Sequence, residues 1–133
     1  MDDPKLSKMR VACLNHGCIK CCLVTEMPLC NSDIARIRDL GFSEDSFVVR
    51  RNGNRQLRNL SGRCVFHDGQ QCTIYSNRPE GCQLYPAIFL ESRQEVVLDS
   101  YCPHHEEFQL TAITSRRVIR LVQELDEEKR RGL

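Results

Sequence analysis

The chain has 133 residues with nine cysteines, and 19 lysine and arginine residues against 18 aspartate and glutamate leave a formal net charge of +1, so it is expected to be a single domain without a nucleic-acid partner. Leu, Ile, Val and Phe make up about 26% of it, above the roughly 20% below which disorder is the default, so a modest core is within reach. The longest apolar runs, such as Ala87-Ile88-Phe89-Leu90, fall far short of the roughly 20 residues that cross a bilayer. No membrane association is expected.

In chain order, the polar start Met1-Asp2-Asp3-Pro4-Lys5 has no apolar h-region, which points to an unexported, cytoplasmic chain. Cys13 to Cys22, with Asn15-His16-Gly17 inside it, reads as irregular backbone wrapped on ligands. Asn31, Ser32 and Asp33 offer an N-cap for a short helix near 32–40, with Ile34, Ile37 and Leu40 on one face and Gly41 as the stop. Phe47-Val48-Val49 and Leu57 to Leu60 read as strands around the turn Asn52-Gly53-Asn54. A second hairpin joins Cys64-Val65-Phe66 to Cys72-Thr73-Ile74-Tyr75 across His67-Asp68-Gly69. A three-residue loop pairs Cys64 with Cys72 on one face, whereas a two-residue loop sends Cys64 to the other. A third hairpin runs from Ala87–Leu90 through Ser92-Arg93-Gln94 to Glu95–Leu98. Val118, Leu121, Val122 and Leu125 then follow helical spacing within a longer C-terminal helix near 108–130, whose charged end, Asp126 to Arg131, reads as a solvated, fraying terminus. The fold class is therefore α+β: one small metal-stapled domain over 1–133, with a core at 13–105 and a helical appendage at 106–131.

An odd cysteine count leaves one thiol over in any disulfide scheme, and in a reducing compartment clustered cysteines bind metal or do redox chemistry. With Cys30 set aside, the other eight fall as C-x4-C-x2-C-C and then C-x7-C-x9-C-x19-C. Four thiolates suit a tetrahedral Zn²⁺ or a [4Fe–4S] cube, so eight make two sets. The simplest partition is Cys13, Cys18, Cys21 and Cys22 for one centre and Cys64, Cys72, Cys82 and Cys102 for the other. Spacing points strongly to metal and does not choose between zinc and iron.

Four stretches carry a resemblance: Cys13-x4-Cys18-Ile19-Lys20-Cys21-Cys22; Pro28-Leu29-x3-Asp33-Ile34-Ala35-Arg36-Ile37; Gly62-Arg63-Cys64-Val65-Phe66; and Cys72-Thr73-Ile74-Tyr75-Ser76-Asn77-Arg78-Pro79-Glu80-Gly81-Cys82-Gln83-Leu84-Tyr85-Pro86. Over about residues 13–105 the chain resembles the YkgJ-type cysteine-cluster family, CxxCxxCC type, described as a zinc- or iron-chelating domain. The resemblance implies eight metal-ligating cysteines, an iron–sulfur cluster ahead of zinc, and kinship to the cysteine-rich part of flagellin lysine N-methylase. The chain departs from the family in its first interval, four residues where two are usual, and in Cys30, which stands where Thr or Ser is usual.

Cys30 reads as a small buried apolar residue near a helix start, against a dipole-activated thiol or a substitute ligand for Cys13. His16, His67, His104 and His105 read as loop residues or donors behind the ligands, although a Cys₃His zinc site using His16 or His104 is allowed. Arg78-Pro79 starts a short element presenting Cys82, Arg78 clamps carbonyls or a carboxylate, and Tyr75 and Tyr85-Pro86 pack around the site. Arg50, Arg51, Arg55, Arg58 and Arg63 lie in a stretch with no acidic residue from Ser46 to His67, a solvated face or a docking patch. No G-x-G-x-x-G, Walker A, G-x-S-x-G or H-E-x-x-H pattern occurs, so a binding role stands ahead of an enzymatic one. The expectation is a chain holding one or two cysteine-ligated iron–sulfur clusters, [4Fe–4S] favoured, for electron transfer or as a subunit of a redox or maturation complex. It would meet a protein partner through the C-terminal helix or the Arg50–Arg63 stretch. The alternatives are a structural zinc module without a redox role and an enzyme using the cluster or the Cys21–Cys22 pair.

Overall fold

The segment from Met27 to Leu29 runs extended beside a later strand: Leu29 N–H donates to Arg55 O at 2.8 Å and Leu57 N–H to Met27 O at 3.0 Å. It opens the part of the chain that the structure, a computed structural model, describes, namely residues 25–100, 102 and 105–133. Helix α1, Asn31–Arg38, follows at once. Its cap is Cys30, one residue before the expected candidates, because Cys30 is extended (φ −90°, ψ 168°) and Asp33 Oδ2 reaches back to accept its N–H at 3.2 Å. That is the reciprocal arm of a capping box. Ile34 and Ile37 are buried, but Leu40 lies beyond the last turn and is 45% exposed. The apolar face of α1 therefore contributes two side chains to the core, where three were expected.

Phe47, expected in a strand, instead closes a single helical turn, α2 (Glu44–Phe47), and is fully buried there. Strand β1, Val48–Arg51, pairs antiparallel with β2, Asn54–Leu57, in the register Val48↔Leu57 to Arg51↔Asn54. Asn52 and Gly53 form the two-residue turn between them, with φ of 54° and 79°. Both residues sit in the left-handed region that such a hairpin demands. A further short pair, β3 (Asn59–Leu60) with β4 (Arg63–Cys64), turns through Ser61-Gly62 in the same way. The third expected hairpin is present as β5 (Ala87–Leu90) and β6 (Glu95–Leu98), paired from Ala87↔Leu98 to Leu90↔Glu95. Between the strand pairs lie a 3₁₀ turn, Tyr75–Asn77, and helix α3, Glu80–Leu84.

The C-terminal helix α4 covers Ala112–Arg130, starting four residues later than expected. Thr111 stops it from extending backwards, since its Oγ1 accepts Thr114 N–H at 3.1 Å and caps the first turn. Val118 and Leu121 are buried, with Val122 and Leu125 packed beside them, as the spacing required. They face α3, β5 and β6. The apolar interior falls into two clusters. One gathers Leu29, Ile34, Ile37, Phe47, Leu57 and Phe66 among others, and the second holds Leu84, Ala87, Phe108, Val118 and Leu121. Among the described residues, no helix is long and apolar enough to cross a membrane. The mixed α+β expectation matches these elements.

The charged end of α4 is not simply solvated. Glu128 Oε1 accepts the Asn31 backbone N–H at 2.8 Å and pairs with Arg55 Nη2 at 2.7 Å, and the two side chains are only 16% and 10% exposed. One carboxylate thus joins α4, the free amide at the start of α1, and β2. Glu128→Ala leaves both donors without a partner and should destabilise the chain by about 2 kcal/mol, whereas Glu127→Ala, which touches only surface Arg130, should stay within about 0.5 kcal/mol. Urea unfolding of the two variants checks this, and equal effects would contradict the docking role.

Candidate metal centre

Helix α3 presents Cys82, and a buried carboxylate holds that helix in place. Asp33, with no solvent exposure, accepts Glu80 N–H at 2.9 Å and Arg36 Nη2 at 3.0 Å on Oδ1, and Cys30 N–H on Oδ2. Arg36 Nη2 also reaches Arg78 O at 2.8 Å, an oxygen shared with Gln83 Nε2 at 2.8 Å. Arg78 clamps a local carbonyl as expected, donating through Nε to Tyr75 O at 3.0 Å, and its guanidinium lies 3.9 Å from the Tyr75 ring centroid. Glu80 is tied to α4 through Arg120 at 3.2 Å and Arg117 at 3.5 Å. Helix α3 passes close to Met27 here, and a Cβ on Gly81 would press on Met27 Sδ, so that the flexible end of that side chain would have to shift. Pro86 is fully buried and Tyr85 packs on the second cluster, donating its hydroxyl to Asp99 Oδ2 at 2.6 Å.

Neither expected register of the Cys64–Tyr75 hairpin forms. His67 pairs with Cys72, and Thr73 N–H donates to Phe66 O at 2.7 Å, so the loop is the four residues Asp68 to Gln71. Asp68 is the cause. Its Oδ1 accepts the N–H groups of Gln70 at 2.9 Å and Gln71 at 3.0 Å, closing a wider turn than Gly69 alone would. These bonds, Gln71 first, lower the Asp68 pKa from its ordinary value. Cys64 is consequently not opposite Cys72. Its ladder partner is Asn59, whose side chain holds both backbone groups of Thr25: Oδ1 accepts Thr25 N–H at 2.9 Å and Nδ2 donates to Thr25 O at 2.9 Å.

Cys64 is buried, and half-buried Cys72 and Cys82 pack against the same apolar cluster. Cys102 is buried in the other cluster, with Cys30. Among the described residues, no group of three or more His, Cys, Asp or Glu side chains is gathered so as to hold a metal ion. Cys13, Cys18, Cys21, Cys22, His16 and His104, and with them the first quartet and the mixed-ligand option, lie outside the described residues. The donor set present still fits a thiophilic metal. Three thiols from three separate elements border one cluster, and His67, 6% exposed and paired with Cys72, keeps a buried Nε2 with no hydrogen-bond partner among the described residues.

Cys30 is not an activated thiol. It is fully buried, with Ser32 Oγ at 3.1 Å and Asp33 Oδ2 at 3.2 Å from its sulfur, and burial above all pushes its pKa up from the ordinary value. Of the arginine stretch, Arg50, Arg51 and Arg58 are exposed while Arg55 is withdrawn into its pair with Glu128. Sequence reasoning missed Asp33 as a buried hub and the Asn59–Thr25 clasp. The first had a signal, an acidic residue three positions after a capping residue; the second joins residues 34 apart and had none.

This small α+β scaffold places thiols from a strand end, a loop and a short helix against one apolar cluster. Residues 12–103 match the family model CxxCxxCC, "Putative zinc- or iron-chelating domain", and the chain belongs to that family. No curated protein and no solved structure matches the chain.

Two outcomes test this arrangement. Asp33→Asn turns one acceptor oxygen into a donor beside Arg36 and the Glu80 amide, and should cost about 3 kcal/mol of stability, read as a lowered denaturation midpoint; an unchanged midpoint would remove Asp33 from its central role. In the folded chain at pH 8 Cys30 should resist iodoacetamide and react once urea is added, as peptide mass mapping would read, because a thiol with a raised pKa supplies little thiolate. Fast labelling of Cys30 in the folded chain would contradict the buried, protonated assignment.

Proposed function

We propose that the chain holds one or two iron–sulfur clusters through Cys13, Cys18, Cys21, Cys22, Cys64, Cys72, Cys82 and Cys102, and serves electron transfer or a larger redox or maturation complex. The observation that carries this reading is the clasp between Asn59 and Thr25. It anchors the chain three residues after Cys22 beside the strand pair that ends in Cys64, and a three-residue tether reaches no further than about 11 Å. The clasp supports one metal region shared by the first cysteine segment and Cys64, while Cys102 lies in the other apolar cluster. Thiol-only donors against an apolar cluster suit a cluster that must be kept from water, and such surroundings help to set its potential. When bound, the cluster supplies one-electron redox chemistry. The chain's own residues bind it, fix the orientation of Cys82 through the Asp33 and Arg36 contacts, and exclude water through Phe66, Ile74 and their neighbours.

Anaerobic purification tests the proposal. A brown protein with absorbance near about 400 nm and about four irons per centre is expected. Colourless protein carrying stoichiometric zinc under the same conditions would replace it with a structural zinc module.

A further inference from the structure

His67 is 6% exposed. Its Nδ1 accepts the Gly69 N–H at 3.0 Å, so the neutral ring carries its proton on Nε2. That Nε2–H is buried and has no hydrogen-bond partner among the described residues. A folded chain rarely leaves such a donor unanswered. The other buried donors in this condition among the described residues, Arg36 Nε and Arg78 Nη2, belong to guanidinium groups that are bonded through another nitrogen; His67 has no other donor on its ring.

The surroundings indicate what the missing acceptor is. Cys72 is the direct cross-strand partner of His67, so both side chains leave the ladder on one face with Cβ atoms roughly 4.5–5.5 Å apart. The His67 backbone N–H donates to Cys64 O at 2.9 Å, which fixes the residue between two cysteines. The imidazole cannot itself be a ligand through Nε2 in this arrangement. A bare Nε2 would put the proton on Nδ1, facing the Gly69 N–H, and bring two donors together.

We propose that His67 donates its Nε2–H to a sulfur of the bound metal centre, thiolate or sulfide, at the Cys72 side, and so acts as a positioning and tuning residue outside the ligand set. This rests on the cysteine-ligated reading above, and its chemistry is the same for iron or zinc. A hydrogen bond withdraws charge from a metal-bound sulfur. It makes that sulfur harder to oxidise and, in an iron–sulfur cluster, raises the reduction potential.

The test uses the full chain loaded with cadmium-113. The expected result is a retained His67 Hε2 signal, protected from exchange, that correlates with the cadmium resonance through the sulfur. A direct coupling between cadmium and His67 Nε2, with Hε2 lost, would make His67 a ligand and overturn the proposal. Cadmium bound with no correlation to Hε2 would also overturn it while leaving the cysteine reading intact. A chain that takes up no cadmium at all would overturn both. In the cobalt-loaded chain His67→Phe should shift the thiolate-to-cobalt charge-transfer band to longer wavelength, and His67→Gln, which keeps an N–H near the Nε2 position, should return it; identical bands in all three proteins would count against the hydrogen bond. If His67→Phe fails to fold, the cadmium measurement on the unsubstituted chain still decides.

Discussion

Asp33 has no access to solvent, and its two oxygens accept from donors that belong to α1 with its cap and to α3. On one side it closes the start of α1 through Cys30; on the other it holds the Glu80 amide and, through Arg36, the carbonyl of Arg78. An ionised carboxylate can be buried only when donors surround it, and here those donors come from residues up to 47 positions away. The requirement to satisfy one charge therefore fixes where α3 lies relative to α1. Because α3 carries Cys82, the same charge fixes where that thiol is presented. Asp33, Arg36, Arg78 and Glu80 all fall within the stretches that carry the family resemblance, and the structure joins them in one network. The position where the family usually has Thr or Ser, taken here by Cys30, is the cap of α1, where a small side chain accommodates the Asp33 contact.

The stretch around Cys64 and Cys72 is shaped by polar contacts more than by regular structure. Its strands are two residues long at β3 and β4 and reduce to a single bridge at His67 and Cys72. Such short ladders are not stable by themselves. What holds them are individual side chains that occupy backbone groups: Asn59 on Thr25, Asp68 on Gln70 and Gln71, Thr73 on Phe66. Cys64, Phe66 and Ile74 of this scaffold belong to the first apolar cluster, and α4 closes the second one while Glu128 fastens its far end to α1 and β2. Metal binding adds its own folding free energy to such a framework.

Much of the fold could be read along the chain. Asn52-Gly53 specified its hairpin because both residues tolerate positive φ, and the stripe at Val118, Leu121, Val122 and Leu125 specified which face of α4 is buried. The errors have local physical causes. Helix α1 began one residue early because a carboxylate at its third position turned Cys30 into a cap, and α4 began late because Thr111 captured an amide. The hairpin register failed because Asp68 could compete for the ladder amides, and a rule based on Gly69 alone does not weigh that competition.

The cysteine spacing and the surrounding motif pointed by themselves to metal binding by cysteines, and the family match over residues 12–103 supports the same reading. Only the tertiary structure decided that Cys64, Cys72 and Cys82 share one apolar cluster while Cys102 and Cys30 share the other, and that Cys64 faces Asn59. The physical reason is range. Spacing and periodicity report on neighbours along the chain, whereas burial of Asp33, pairing of Glu128 with Arg55 and the isolation of His67 Nε2 depend on groups brought together from distant positions, and their free energies appear only when the chain has closed around them.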